Sequence, residues 1–189
     1  MSDIPQAKPV RFETERYIVR SVVPDDAGES WQRWASDPEA ARWLNMQPRA
    51  VTREELLKYI ATFDNRSRFL IGVFEKGDER FIGFHAIYID WAIRAYMINA
   101  LIGENAARHK GARTETRRPI HEYFMETMNL DCSVCTVVEG HPSIALMASW
   151  GWVIEARSEK PSASGGKPVG ILHMRLTKEA WWRAHAKGL

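Results

Sequence analysis

The reading of this chain turns on Ala100-Leu101-Ile102-Gly103-Glu104-Asn105-Ala106-Ala107-Arg108-His109-Lys110-Gly111-Ala112-Arg113-Thr114-Glu115. An apolar run ends at Gly103, a polar loop follows, and past Gly111 the pattern turns helical as far as about residue 129. Between 108 and 118 stand Arg108, Lys110, Arg113, Arg117 and Arg118 against a single acid, Glu115. The first amides of a helix point outward unpaired and carry about half a positive charge. A strand, loop and helix start crowded with cations is therefore a seat for a diphosphate. A solvated basic helix face is the plainer reading, and charge alone does not separate the two.

Working outward, 17–23 is rich in β-branched residues and stops at Pro24, so it reads as a strand. Pro24-Asp25-Asp26 opens a helix that carries Trp31 and Trp34 and closes near Asp37-Pro38. Thr52 and Glu55 form a capping box for a second helix with Leu56, Leu57, Ile60 and Phe63 on one face. The turn Lys76-Gly77-Asp78 joins strands 68–74 and 80–90 into an antiparallel hairpin, and 95–103 is a third strand. Strand 132–139, helix 143–150 and strands 152–157 and 169–176 follow, the last two joined by a Ser/Gly/Pro-rich loop. Thr177 caps a final helix with Trp181 and Trp182. Residues 1–12 read as a loose polar lead-in. The order β-α-α-β-β-β-α-β-α-β-β-α implies one domain over 1–189 of the α/β (α+β) class, a mixed, mostly antiparallel sheet with helices on its faces.

Composition narrows the function. The 189 residues carry 26 basic and 24 acidic side chains, a balance of +2, too near neutral to announce a nucleic-acid or membrane partner. The weakly charged stretch 81–103 holds Asp90 and Arg94 near its middle, which is expensive in hydrocarbon, so two strands explain it better than a membrane span. The first residues lack the basic-then-apolar pattern of a signal peptide, and a cytoplasmic location is expected. Cys132 and Cys135 fall on opposite faces of a strand with no second ligand pair, and His85, His121, His173 and His185 are scattered singly. No metal site is expected.

Several segments, in order, resemble the GNAT superfamily of acyl-CoA-dependent N-acyltransferases, in the branch that includes ribosomal-protein N-terminal acetyltransferases. Arg108-x-x-Gly111-x-Arg113 is similar to its Arg/Gln-x-x-Gly-x-Gly/Ala diphosphate loop. Thr14-Glu15-Arg16 with Arg20, and Asp26-Ala27, resemble the branch's opening strand and first helix; Ile82-Gly83 and Ile89-Asp90 match its central hairpin. Gly140-His141-Pro142-Ser143 and Trp150-Gly151-Trp152 resemble its Gly-Asn-x-x-Ser … Gly-Phe segment. The likeness spans roughly 12–182 and implies a splayed sheet, in which the strand near 95–103 parts from 132–139 and a pantetheine arm enters the gap.

The resemblance implies acetyl-CoA, or another acyl-CoA, as the donor, and direct attack of a primary amine on its thioester. Leu101, Ile102, Gly103, Arg108, His109, Lys110, Gly111, Ala112, Arg113 and Ser143 are the expected donor-binding residues, with amides near Leu101 and Ile102 holding the carbonyl oxygen. An alkylammonium is mostly protonated at neutral pH, so a general base helps. Glu104 is the first candidate, with Asp90 and His141 as rivals; Ser143 is the candidate acid, since the family's tyrosine aligns with Met147, which has no proton to give.

Three departures stand out. Arg113 takes the place of a small residue and either swings outward as a phosphate ligand, which its bidentate chemistry favours, or narrows the site. Pro119 either breaks the helix or marks its true start. His141 replaces an asparagine. Trp31, Trp34 and Trp43 fall where the family builds its acceptor pocket, although core packing explains them as well. The acceptor stays open between a protein N-terminus and a small amine, and the assembly between monomer and homodimer. The rival readings are a catalytically impaired ligand- or partner-binding member and an enzyme using a longer acyl-CoA or a carrier-protein donor.

Overall fold

Strand β3 (Arg68–Glu75) is buried continuously from Phe69 to Phe74, so both faces of the sheet must be covered at its centre. The computed structural model, which describes residues 6–108, 110–163 and 165–185 apart from the side chain of Trp43, shows how. Eight strands lie in the order β1-β2-β3-β4-β5-β6-β8-β7. They are β1 (Arg11–Glu13), β2 (Tyr17–Ser21), β3, β4 (Phe81–Asp90), β5 (Ala95–Ile102), β6 (Cys132–Val138), β7 (Val153–Lys160) and β8 (Val169–Thr177). Every neighbouring pair is antiparallel except β5 and β6.

Alternation along β3 sends Phe69, Ile71 and Val73 into one core and Leu70 into the other. The first core is closed by α5 (Ala112–Glu122) through Ile120, by Phe124 just beyond it, and by α7 (Lys178–His185) through Trp181. The second is closed by α1 (Glu29–Ala35) through Trp31 and Trp34, and by α3 (Arg53–Ile60) through Leu56 and Ile60. Thr52 and Glu55 complete the capping box expected for α3. The remaining helices are α2 (Pro38–Leu44), the single turn α4 (Asn105–Arg108) and α6 (Ile144–Ser149).

The structure corrects several expectations. Part of the lead-in is a strand, since Arg11 to Glu13 pair with Arg20 to Ile18. Asp37-Pro38 starts a helix besides ending one: the Asp37 carboxylate accepts from the Glu39 amide, and proline is preorganised for a first turn. Pro119 neither breaks α5 nor marks its start. The helix begins at Ala112 behind Gly111, whose left-handed φ of 77° a side chain would strain, and it runs through the proline. Fully buried Ile120 and Phe124 hold that face on the sheet, and the chain loosens only afterwards, in a π-helical turn over Tyr123–Thr127.

Candidate active site

Strands β5 and β6 pair through only three positions, Ala95 with Cys132, Tyr96 with Ser133 and Met97 with Val134. Beyond them β6 stays paired with β8 up to Val138 and Ile171, while β5 stays paired with β4 up to Ile102 and Gly83. From Ile98 to Ile102 the β6-facing edge of β5 has no strand partner. That wedge opens toward the loop and helix start singled out in the sequence. The Gly103 amide donates to the Ile82 carbonyl at 2.9 Å. In an antiparallel ladder the amide of Leu101, two residues back, therefore also faces β4, and those of Ala100 and Ile102 face the wedge. Ile102, not Leu101, presents its amide to the gap.

The cations of 108–118 have separate fates. Arg108 does not stand free: Nε donates to the Ile102 carbonyl at 2.9 Å, and the guanidinium also meets the Gly103 carbonyl, Glu39 and Asp37. It ties the start of α2 to the end of β5. Burial pulls the Asp37 carboxyl upward, but Arg108 and the Glu39 amide outweigh it and hold it below the ordinary value. Lys110 is exposed, Arg118 bonds Glu122 at 2.9 Å, and His109 lies outside the described residues. Glu115, the lone acid, accepts from Thr14 Oγ1 at 2.6 Å and from Arg16 N and Nε at 2.8 Å, fastening the first turn of α5 to the chain between β1 and β2.

Arg113 is partly buried at the first turn of α5. Its Nε is buried without a partner, and it lies toward Arg117, Cys135 and His141. Burial first, and Arg117 second, push its guanidinium down to about 9. Behind Gly140 (φ 83°), His141 and Ser143 form a pair. His141 Nδ1 accepts from the Ser143 amide at 3.0 Å and faces the Ser143 hydroxyl at 2.7 Å. An Nδ1 that accepts an amide carries no proton, so the neutral ring is protonated on Nε2 and the hydroxyl donates to Nδ1. Burial, then Arg113 and Arg117, hold His141 down to about 4. Ser143 is also the N-cap residue of α6, yet its hydroxyl serves no helix amide.

On the other face, Glu104 accepts from Trp34 Nε1 at 3.2 Å and Arg33 Nη2 at 3.3 Å, with a fifth of its side chain exposed. Gly103 makes this contact possible, because a Cβ there would run into the Trp34 indole. Trp31 and Trp34 are core residues, 4% exposed each. Asp90 pairs with Ala95 at the closed end of β5 and accepts from the Ala92 amide, a strand's length from the opening, so the fold does not bring it to the site. A cavity of about 620 Å³ lies where α2 passes the end of β6, lined by Pro38, Arg42, Asn45, Val138, Glu139 and Gly170 among others.

Sequence reasoning missed one participant. Arg117 counted only as part of a basic face, but it is 1% exposed. The spacing 113, 117, 120, 124 puts it on the stripe of Ile120 and Phe124, a signal open to reading.

A family model described as acetyltransferase (GNAT) domain matches residues 16–153. No curated protein matches the sequence. Among solved structures, a GNAT-family acetyltransferase from Bacillus anthracis is 18% identical with a TM-score of 0.74, over 90% of this chain and 99% of that one. A ribosomal-protein-S5-alanine acetyltransferase from Vibrio fischeri is 17% identical with a TM-score of 0.73, over 91% and 98%. A spermidine N-acetyltransferase from Vibrio cholerae, solved with CoA and spermine, is 14% identical with a TM-score of 0.77, over 87% and 97%. At such identities these structures share the fold.

Proposed function

The chain belongs to the acetyltransferase (GNAT) family and is an acetyltransferase that uses acetyl-CoA, and on that footing we propose how this chain receives its donor and its amine. The single observation that carries the reading is the wedge between β5 and β6, open on the side where Gly111 starts α5. The diphosphate sits against Gly111, Ala112 and Arg113 with Lys110 at the rim, and the thioester arm lies along the backbone of Ala100 and Ile102. Arg108 acts by shaping this mouth, since its guanidinium is occupied by α2 and by two carbonyls.

The acceptor approaches from the α1–α2 face. Glu104 takes a proton from the ammonium directly or through one water, held in place by Trp34 and Arg33. The amide of Ala100, the deeper of the two free wedge-facing amides, supports the carbonyl oxygen as it gains charge. Ser143 returns a proton to sulfur, which requires its hydroxyl to leave His141 Nδ1. The cavity beside α2 suits a primary amine on a small molecule or a protein N-terminus. Cytoplasmic location and freedom from nucleic acid and membrane belong to the same reading; no helix among the described residues is long and apolar enough to cross a membrane.

The test is thiol release from acetyl-CoA across a panel of polyamines, amino sugars and N-terminal peptides, with mass-spectrometric detection of the acetylated amine. Turnover on an amine, lost in Glu104→Gln, is the expected result. Stabilisation by CoA without turnover on any amine would favour the impaired, ligand-binding reading. That reading has one specific support, the buried and unpartnered Nε of Arg113 beside Arg117.

A further inference from the structure

The most unusual feature of the interior is a pair of guanidinium groups without a counter-charge. Arg117 is 1% exposed, and its Nε and Nη1 have no hydrogen-bond partner; Arg113, one turn earlier on α5, has a buried and unpartnered Nε. No carboxylate among the described residues pairs with either. The groups facing them are Tyr96 on β5, Cys135 on β6 and the neutral His141, His85 and His121. The Arg117 guanidinium lies 5.9 Å from the Trp150 ring centroid and 5.8 Å from that of Trp152, which partly compensates a buried cation but leaves Nε and Nη1 unused. Tyr96 stands one position before the last paired residue of β5, and Cys135 one position after the last of β6. Arg117 thus lies against both strands at the level where they part.

A buried cation without a partner is strongly unfavourable and persists where an anion completes it. We propose that Arg117, with Arg113 beside it, stabilises the departing thiolate of coenzyme A. The inference rests on the donor lying in the wedge as proposed above. As the amine nitrogen forms its bond to the thioester carbon, the C–S bond breaks, its electron pair goes to sulfur, and the nitrogen's second proton goes to Glu104, which has passed the first to solvent. The anion born inside the wedge is this thiolate. The nearby Tyr96 hydroxyl is paired with His121 Nδ1, and the Ser143 hydroxyl is held by His141 Nδ1 until it is released to sulfur. Two fixed positive charges in a desolvated site permit sulfur to leave as an anion and collect its proton later.

The experiment is an ultraviolet titration of the CoA thiol bound to the whole protein, with calorimetric affinities of CoA and desulfo-CoA measured alongside. In the unaltered protein the bound thiol should ionise about one to two units below the thiol of free CoA titrated alongside. Arg117→Met should abolish most of that shift while leaving desulfo-CoA affinity within about twofold, and Arg117→Lys should keep part of it. A bound thiol that ionises at its ordinary value overturns the inference and leaves the donor site standing. Equal weakening of CoA and desulfo-CoA in Arg117→Met, with the thiol unmoved, also overturns it and assigns the guanidinium to the diphosphate. Failure of the unaltered protein to bind CoA at all overturns both readings. The first and third of these outcomes are read on the unaltered protein and need no variant to fold.

Discussion

His141 Nδ1 accepts from both the amide and the hydroxyl of Ser143, at 3.0 and 2.7 Å, so two residues of one loop fix each other's protons. The imidazole is locked in the Nε2–H form, and the hydroxyl that would serve the leaving sulfur is occupied. Ser143→Ala should therefore cost about tenfold in kcat, less than the 10²–10⁴ typical of an essential acid. Steady-state thiol release measures it, and a loss beyond 10³-fold would show that the serine proton is indispensable.

Acid should unfold this protein earlier than its carboxylates alone would require. Burial holds His85 and His121 well below 6.5, and burial with Arg113 and Arg117 holds His141 near 4. The folded chain refuses protons that the unfolded chain binds, so stability is full above pH 6.5 and is lost as the pH falls below it. Each fully buried ring contributes a slope of up to about 1.4 kcal/mol per pH unit. Thermal melts should decline from pH 6.5 downward; a Tm flat to about pH 5, above the range where carboxylates protonate, would contradict the neutral histidines.

Arg117→Met should stabilise the ligand-free protein. Replacing a buried, unpaired charge with an apolar side chain of similar length often gains about 1–4 kcal/mol, or about 2–4 °C in Tm for each kcal/mol in a chain of this size. A lower Tm in the variant would mean that the cation has a partner in the fold.

The Arg108–Asp37 contact holds α2 to the end of β5, with 16% and 23% of the two side chains exposed. A double-mutant cycle with Arg108→Met and Asp37→Asn should return a coupling of about 1–3 kcal/mol. Additive losses in chemical denaturation would show that the two groups act independently.

Gly103→Ala drives a Cβ into the Trp34 ring, which is itself held between Phe81 and Glu104. Overpacking of this kind costs about 1–3 kcal/mol. Because the indole also positions Glu104, turnover should fall with stability, and a variant with unchanged Tm and rate would show that the indole moves aside freely.

Much of the fold was legible because it is written in short-range patterns. The Lys76-Gly77-Asp78 turn, the Thr52 capping box and the strand, loop and helix start at 95–112 each depend on neighbours within a few residues. The short β1 and helix α2 were less legible. Three residues of strand carry little periodic signal, and Pro38 reads equally as a stop or as a first turn. Pro119 misled for a related reason, since tertiary burial of Ile120 and Phe124 outweighs a local helix penalty.

The sequence by itself determined which residues cluster at the loop after β5, and that a glycine and a helix start stand there. Only the tertiary structure decided what those residues face. Arg108 meets Asp37 from 71 positions away, Glu104 meets Trp34 from 70, and Arg113 buries its Nε beside Arg117. Charge and spacing specify a side chain's chemistry, but whether a guanidinium finds a carboxylate, a carbonyl or nothing depends on elements brought together by packing. That difference separates a solvated basic helix from a buried site awaiting an anion.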